Sequence, residues 1–161
     1  AGLNDHGVVV WDSLAIGEYL AEKRPGLLPA DPVARALARS VTAEMHSGFQ
    51  NLRSRMPMNV RKDYTGFGHS PEVDADIARI VAIWNDCRAR FGAVGPYLFG
   101  RFSLADAAFA PVAFRFQTYA VKPAGAAGEY LATLLANPHM QEWATAARAE
   151  TESIPEEDLY G

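Results

Sequence analysis

The residues best suited to chemistry near the start of the chain are a carboxylate and a hydroxyl at a predicted helix start. Asp12 and Ser13 separate an apolar run, Val8–Trp11, from a stretch with helical spacing. The first turn of a helix has free backbone N–H groups that attract a carboxylate, while Asp12 can pair with an ammonium group. The pair could therefore bind a zwitterion, although such residues also commonly cap helices without binding anything.

A second polar pair has the spacing of a capping box. Ser103 and Asp106 form Ser-x-x-Asp immediately before an apolar run. In such a box each side chain accepts a hydrogen bond from a backbone N–H group of the first turn that would otherwise lack a partner. We therefore interpret Ser103 and Asp106 as structural, and Asp106 is not our candidate general base.

Methionine and aromatic residues recur at helical spacing further along the chain. Met45, Phe49 and Arg53 are four residues apart, which predicts one helix face with a cation at one end. Such a stripe could be an adaptable apolar wall for a ligand or an ordinary part of the core. His46 lies beside it, and we interpret it as a surface or hydrogen-bonded histidine, because the four histidines share no metal-ligand spacing.

Composition excludes several kinds of site. The single cysteine, Cys87, excludes an intramolecular disulfide and a multi-cysteine metal site, and its place in an apolar stripe predicts a buried, inert thiol. The net charge of −4, with no basic stripe, argues against nucleic acid as a partner. No stretch has the length of a membrane span, and no signal peptide opens the chain. These features predict a cytoplasmic protein without a membrane partner.

The elements that position these residues are predicted to be mostly helices. The longest predicted helices have an Asp or Ser cap followed by proline and end near a proline or glycine. By contrast, Val8–Trp11 reads as one strand, and we find no convincing second strand elsewhere, so we expect it to be the end of a sheet whose other strands are missing. The predicted helices follow Ser13, span 31–56 and 70–91, begin at Ser103, span 129–136 and begin at Pro138.

Three segments together resemble the glutathione transferase family. LNDHGVVVWDSLAIGEYLAEKRPG is similar to the last strand and helix of that family's thioredoxin-like N-terminal domain. GRFSLADAAFAPV resembles the start of the central helix of its all-helical C-terminal domain, and NPHMQEWATAA resembles the closing helix. The resemblance implies an all-α bundle (27–161) preceded by a strand and helix remnant of a thioredoxin-like domain (1–26).

The resemblance also implies a function, namely transfer of glutathione, the co-substrate, to an apolar electrophile without a metal. The family's activating Ser, Tyr or Cys lies on a first strand and helix that have no counterpart here, so we name no catalytic residue and expect this chain alone to be inactive. Homodimerisation through 31–56 and 70–91 is expected. The alternative is a noncatalytic binding module. The implied site residues are Asp12 and Ser13 for the γ-glutamyl end of glutathione, and Met45, Phe49, Arg53, Phe116 and Tyr119 for the electrophile.

Overall fold

The amino-terminal residues form a β-hairpin. The computed structural model describes residues 2–152, 154 and 158–161. In it, β1 (Gly2–Asp5) pairs antiparallel with β2 (Val8–Trp11), with Leu3 opposite Val10. The prediction of a single strand without a partner in this chain was therefore wrong.

The hairpin turn explains both the pairing and why it was missed. His6 and Gly7 connect the strands with φ of 50° and 91°, and positive φ at both positions is typical of the two-residue turns that fit the twist of a hairpin. Asn4 accepts a hydrogen bond from the Gly7 N–H (3.1 Å). Asn4 and Asp5 have low strand propensity, which concealed β1 in the sequence.

Seven helices and one short 3-10 turn (Gly92–Val94) follow in the described part of the chain. Their N-caps match the predicted signals where the sequence has Asp or Ser before proline, since Asp31 accepts from the Ala34 N–H and Ser70 from the Val73 N–H. The helices are α1 (Ser13–Lys23), α2 (Pro32–Ser47), α3 (Gln50–Arg55), α4 (Pro71–Phe91), α5 (Leu104–Thr118), α6 (Gly125–Leu135) and α7 (Pro138–Ala149).

The predicted helix over 31–56 is divided in two. It breaks at Gly48, which caps the end of α2, and Phe49, which has a left-handed backbone (φ 60°). Met45, Phe49 and Arg53 therefore do not lie on one helical face, and that prediction was wrong. The sixth helix also begins at Gly125, four residues before the predicted start at Glu129.

The hairpin and α1 pack on one side of the helical body. Gly17 of α1 faces Leu104 of α5 so closely that a Cβ at Gly17 would lie 3.3 Å from the Leu104 side chain. Glu18 of α1 and Arg39 of α2 form an ion pair at 2.8 Å. This packing brings the start of α1 next to the end of α2.

The centre of the body is aromatic. Trp84 of α4 is fully buried and packs against Phe109, Phe116 and Tyr130. Cys87, one helical turn further along, is buried there as well, and burial raises the pKa of its thiol to about 12. The thiol is thus protonated and inaccessible, as its place in the apolar stripe predicts.

Candidate functional site

The start of α1 is held in an unusual backbone conformation. Asp12 has φ 73° and ψ 131°, a region that residues other than glycine rarely adopt. Its Oδ1 accepts hydrogen bonds from the backbone N–H groups of Leu14 (2.9 Å) and Ala15 (3.4 Å). Asp12 is thus the N-cap of α1, and the hydrogen bond from Leu14 is the main cause that lowers the pKa of its carboxyl. The carboxylate stays charged at neutral pH.

His46, at the end of α2, contacts both polar residues at this helix start. Its Nε2 lies 3.0 Å from Asp12 Oδ2, and its Nδ1 lies 3.4 Å from Ser13 Oγ. The three side chains are accessible to solvent, with about two fifths of the His46 and Asp12 side chains exposed (37% and 46%). Sequence reasoning missed this contact, because it joins residues 33 positions apart and depends on how α1 packs on α2.

A cavity of about 450 Å³ adjoins this cluster. Ser13, Met45, His46 and Arg53 all line it, so the structure brings one of the two predicted γ-glutamyl residues next to two of the predicted electrophile residues. Thr42 also lines the cavity, and its buried Oγ1 has no hydrogen-bond partner in the part of the chain that the structure describes. The rest of the lining is mostly apolar, as is typical of small-molecule sites, and comes from α1, α2, α5 and Leu28 in the loop between α1 and α2.

Arg53 has a structural role besides lining the cavity. Its Nε donates to the Gly48 carbonyl (2.9 Å), and its Nη2 donates to the carbonyls of Met45 and His46. These carbonyls belong to the last turn of α2, where a helix lacks donors of its own and a cation is favourable. Arg53 therefore fastens α3 to the end of α2.

The other predicted electrophile residues lie away from this cavity. Phe49 is buried at the break between α2 and α3. Phe116 is fully buried against Trp84, with ring centroids 5.3 Å apart. Tyr119 is also buried, and its hydroxyl donates to the Pro57 carbonyl (3.1 Å). None of the three lines the cavity beside Ser13.

The polar pair at the start of α5 is organised quite differently. Asp106 is fully buried, and its Oδ2 accepts hydrogen bonds from the Ser103 N–H (2.8 Å) and Oγ (3.1 Å). Its Oδ1 accepts from the Leu98 N–H (3.1 Å) and the Tyr130 hydroxyl (3.0 Å). Burial raises the pKa of the Asp106 carboxyl, and these hydrogen bonds oppose that shift. Every bond joins Asp106 to the protein itself, so the pair connects α5, α6 and the loop before α5.

A second cavity is less suited to the predicted chemistry. A larger cavity of about 720 Å³ lies beside the end of α1 and the 3-10 turn, and of the predicted site residues it includes Ser103 alone. No group of three or more His, Cys, Asp or Glu side chains in the described residues could hold a metal ion. Within those residues, no helix is both long and apolar enough to span a membrane.

Comparison with known proteins identifies the helical body. Residues 68–146, which include α4 to α6 and most of α7, match the family described as glutathione S-transferase, C-terminal domain. This part of the chain belongs to the glutathione S-transferase family. The buried Ser103–Asp106 box and the aromatic centre both lie inside the matched region.

Curated relatives match a shorter stretch. A probable maleylacetoacetate isomerase from Caenorhabditis elegans is 43% identical over 65 residues, which are 38% of this chain and 30% of that protein. The maleylacetoacetate isomerases of rat and mouse are each 46% identical over 50 residues, 30% of this chain and 23% of theirs. The matched stretch thus spans less than a third of each relative.

Solved structures share the fold over nearly the whole chain. A glutathione transferase homologue from Burkholderia, solved with bound glutathione, has a TM-score of 0.64 at 24% identity over 92% of this chain and 73% of its own. A Tau class glutathione S-transferase from mango has a TM-score of 0.60 at 18% identity over 91% of this chain and 74% of its own. These similarities establish the fold.

Proposed function

We propose that this chain binds the γ-glutamyl end of glutathione in an enzyme that transfers glutathione to an apolar electrophile. The observation that carries the proposal is the start of α1, where Ser13 lines a mostly apolar cavity and the exposed Asp12 precedes it at the helix N-cap. The Asp12 carboxylate would pair with the α-ammonium of the ligand, and Ser13 would bind the α-carboxylate through its hydroxyl and its own backbone N–H at the positive end of the helix.

The strained backbone of Asp12 supports a binding role over simple capping. A capping Asp ordinarily has an extended backbone, as Asp31 does at the start of α2 (φ −64°, ψ 128°). Conformations such as that of Asp12 cost free energy and are concentrated at ligand sites. Met45 and the apolar lining from α5 would then provide the wall against which the electrophile packs.

The group that activates the glutathione thiol is proposed to lie outside this chain. Lowering the pKa of a thiol requires a donor or cation close to the sulfur. The groups at the described site suit an amino-acid end instead, and Cys87 is buried and protonated. The γ-glutamyl site and the apolar wall would then be this chain's share of an active site.

Glutathione binding by the purified chain tests the proposal. Chemical-shift titration detects millimolar affinity, and we expect glutathione to shift the amide signals of Ser13, Leu14 and His46. Asp12→Asn and Ser13→Ala should each weaken binding about tenfold, because each removes a charge-assisted contact. The matched control is Asp31→Asn, which removes a capping carboxylate from α2 and should leave binding unchanged. Equal binding by the Asp12→Asn and wild-type chains would refute the proposed site.

The reaction class has a second candidate. The curated relatives that match part of the chain are named maleylacetoacetate isomerases, which makes a glutathione-dependent isomerisation the second candidate reaction beside conjugation. Both reactions need the same γ-glutamyl contact and begin with the thiolate, so Asp12 and Ser13 have the same role in each. Following glutathione consumption against product separates them, because an isomerase regenerates glutathione and a conjugating enzyme consumes it.

Homodimerisation through α2 and α4 is also proposed, and the exposed hairpin provides an alternative contact between chains. Val9 (61% exposed) and Trp11 (72% exposed) lie on the same face of β2 and form an exposed apolar surface. Such a surface favours a noncatalytic interaction module as the alternative to an enzyme. Val9→Lys should leave a helix-mediated dimer intact in light scattering over a concentration series. Val94→Lys, which changes another exposed valine (79%) on the 3-10 turn, is the control. A wholly monomeric Val9→Lys chain would assign the dimer to the hairpin.

A further inference from the structure

The Asp12 carboxylate has one oxygen left for a ligand, and His46 already contacts it. Oδ1 accepts from Leu14 and Ala15, whereas Oδ2 lies 3.0 Å from His46 Nε2. A carboxylate oxygen can accept two hydrogen bonds. A ligand ammonium would therefore share Oδ2 with the imidazole and experience its charge directly.

The hydrogen-bond direction at Ser13 depends on the same imidazole. Nε2 faces a carboxylate, which only accepts, so Nε2 carries a hydrogen in either charge state of His46. When the ring is neutral, Nδ1 carries no hydrogen and accepts a hydrogen bond from the Ser13 hydroxyl. When the ring is charged, Nδ1 donates to Ser13 Oγ, and the hydroxyl hydrogen is released to turn toward a ligand.

We propose that His46 is a positioning residue of the γ-glutamyl site, whose charge sets whether Asp12 and Ser13 favour the ammonium or the carboxylate of the ligand. This inference rests on the proposed function and adds a residue to it. Charged His46 frees the Ser13 hydrogen for a carboxylate and adds a positive charge beside it. Neutral His46 leaves the Asp12 charge uncompensated and so strengthens its attraction for an ammonium.

The neighbouring charged groups keep their charge across the range in which imidazole titrates, about pH 5 to 8. Hydrogen bonding to Arg39 lowers the pKa of Glu18 and raises that of Arg39 itself. On α3, Arg53 is a guanidinium and is bound to carbonyls of α2. On α2, hydrogen bonding to Arg79 lowers the pKa of Glu44. These neighbouring groups would therefore not themselves change the binding of a ligand between pH 5.5 and pH 8.

Two analogues of S-methylglutathione separate the two effects. One lacks the α-amino group and the other lacks the α-carboxyl group, and each is titrated into the chain at pH 5.5 and pH 8 with chemical shifts as the readout. The analogue that keeps the carboxylate should bind about two- to fivefold more tightly at pH 5.5. The analogue that keeps the ammonium should bind more tightly at pH 8 by a similar factor.

His46→Gln should remove both dependences, because the amide does not titrate. The matched control is His69→Gln, which removes another exposed histidine paired with a carboxylate, Asp74 at 2.7 Å, and should preserve both. Binding of S-methylglutathione without opposite pH dependences of the analogues, or dependences that persist in His46→Gln, would overturn this inference alone. No binding of S-methylglutathione at either pH would overturn the proposed function and the inference together.

Discussion

The starts of α1 and α5 both have an aspartate and a serine, but the two aspartates have different roles. At α5 the capping aspartate is buried, and both of its oxygens are occupied by donors of the protein. At α1 the aspartate is exposed, its backbone is strained, and one of its oxygens contacts a histidine that is also exposed. The two carboxylates differ in their hydrogen-bond partners. The oxygens of Asp106 are bound by donors of the protein in the interior, whereas one oxygen of Asp12 remains accessible to solvent and to a ligand.

The pKa values of the two carboxyls diverge for the same reason. Burial raises the pKa of Asp106, whereas backbone hydrogen bonds lower the pKa of the exposed Asp12. A buried carboxylate is tolerable only when the fold provides donors for its lone pairs, and those donors then fix the elements around it. Asp106 therefore specifies structure, while Asp12 retains a charge that a ligand could use.

The largest effect that would test this contrast is loss of the buried carboxylate. Asp106→Asn should lower the free energy of unfolding by about 3–5 kcal/mol, because it turns a donor toward donors of Leu98, Ser103 and Tyr130. Chemical denaturation measures the change. Asp86→Asn, which removes an exposed carboxylate paired with Arg90 on α4, is the control and should change stability by less than about 0.5 kcal/mol. Similar losses in both variants would mean that the box does not hold α5 in place.

Local signals made much of the fold predictable. Asp31 and Ser70, each followed by proline, correctly indicated where α2 and α4 begin, because a cap is a property of a few consecutive residues. The division between α2 and α3 was missed, since a left-handed Phe49 is supported by tertiary packing and not by residue type. The resemblance to the family came from three separated motifs and was confirmed by the family match.

The candidate site was only partly predictable, because sequence spacing describes one element at a time. Asp12 and Ser13 are adjacent in the chain, so the sequence alone places both of them at the start of the same helix. The approach of His46 to both requires α1 to pack on α2, and the capping of α2 by Arg53 requires a break that the sequence did not indicate. Phe116 has suitable chemistry for a ligand pocket but is enclosed by Trp84.

A second, smaller effect is the change in the free energy of unfolding at acidic pH. The folded pKa of Asp12 lies below its ordinary value of 3.8, so its contribution to stability is fully present above pH 3.8 and is lost as pH falls through the folded pKa. Asp12→Asn should therefore reduce the dependence of the unfolding free energy on pH below about 4. Denaturant titrations at pH 2.5, 3.5 and 5 measure it. Asp31→Asn serves as the comparison, and an unchanged acid slope in Asp12→Asn would mean that the cap is not charged in solution.

The smallest effect separates strain from capping at the same position. Glycine adopts a φ of 73° without the clash that a Cβ brings, and a glycine N-cap loses little relative to aspartate. Asp12→Gly should therefore leave the melting temperature unchanged or raise it by a few degrees, while glutathione binding weakens about tenfold because the carboxylate is removed. Asp31→Gly is the matched control, because its extended backbone offers no strain to relieve, and its melting temperature should fall slightly. If Asp12→Gly lowers the melting temperature more than Asp31→Gly does, Asp12 is a stabilising cap like Asp106, and the contrast between the two helix starts does not hold.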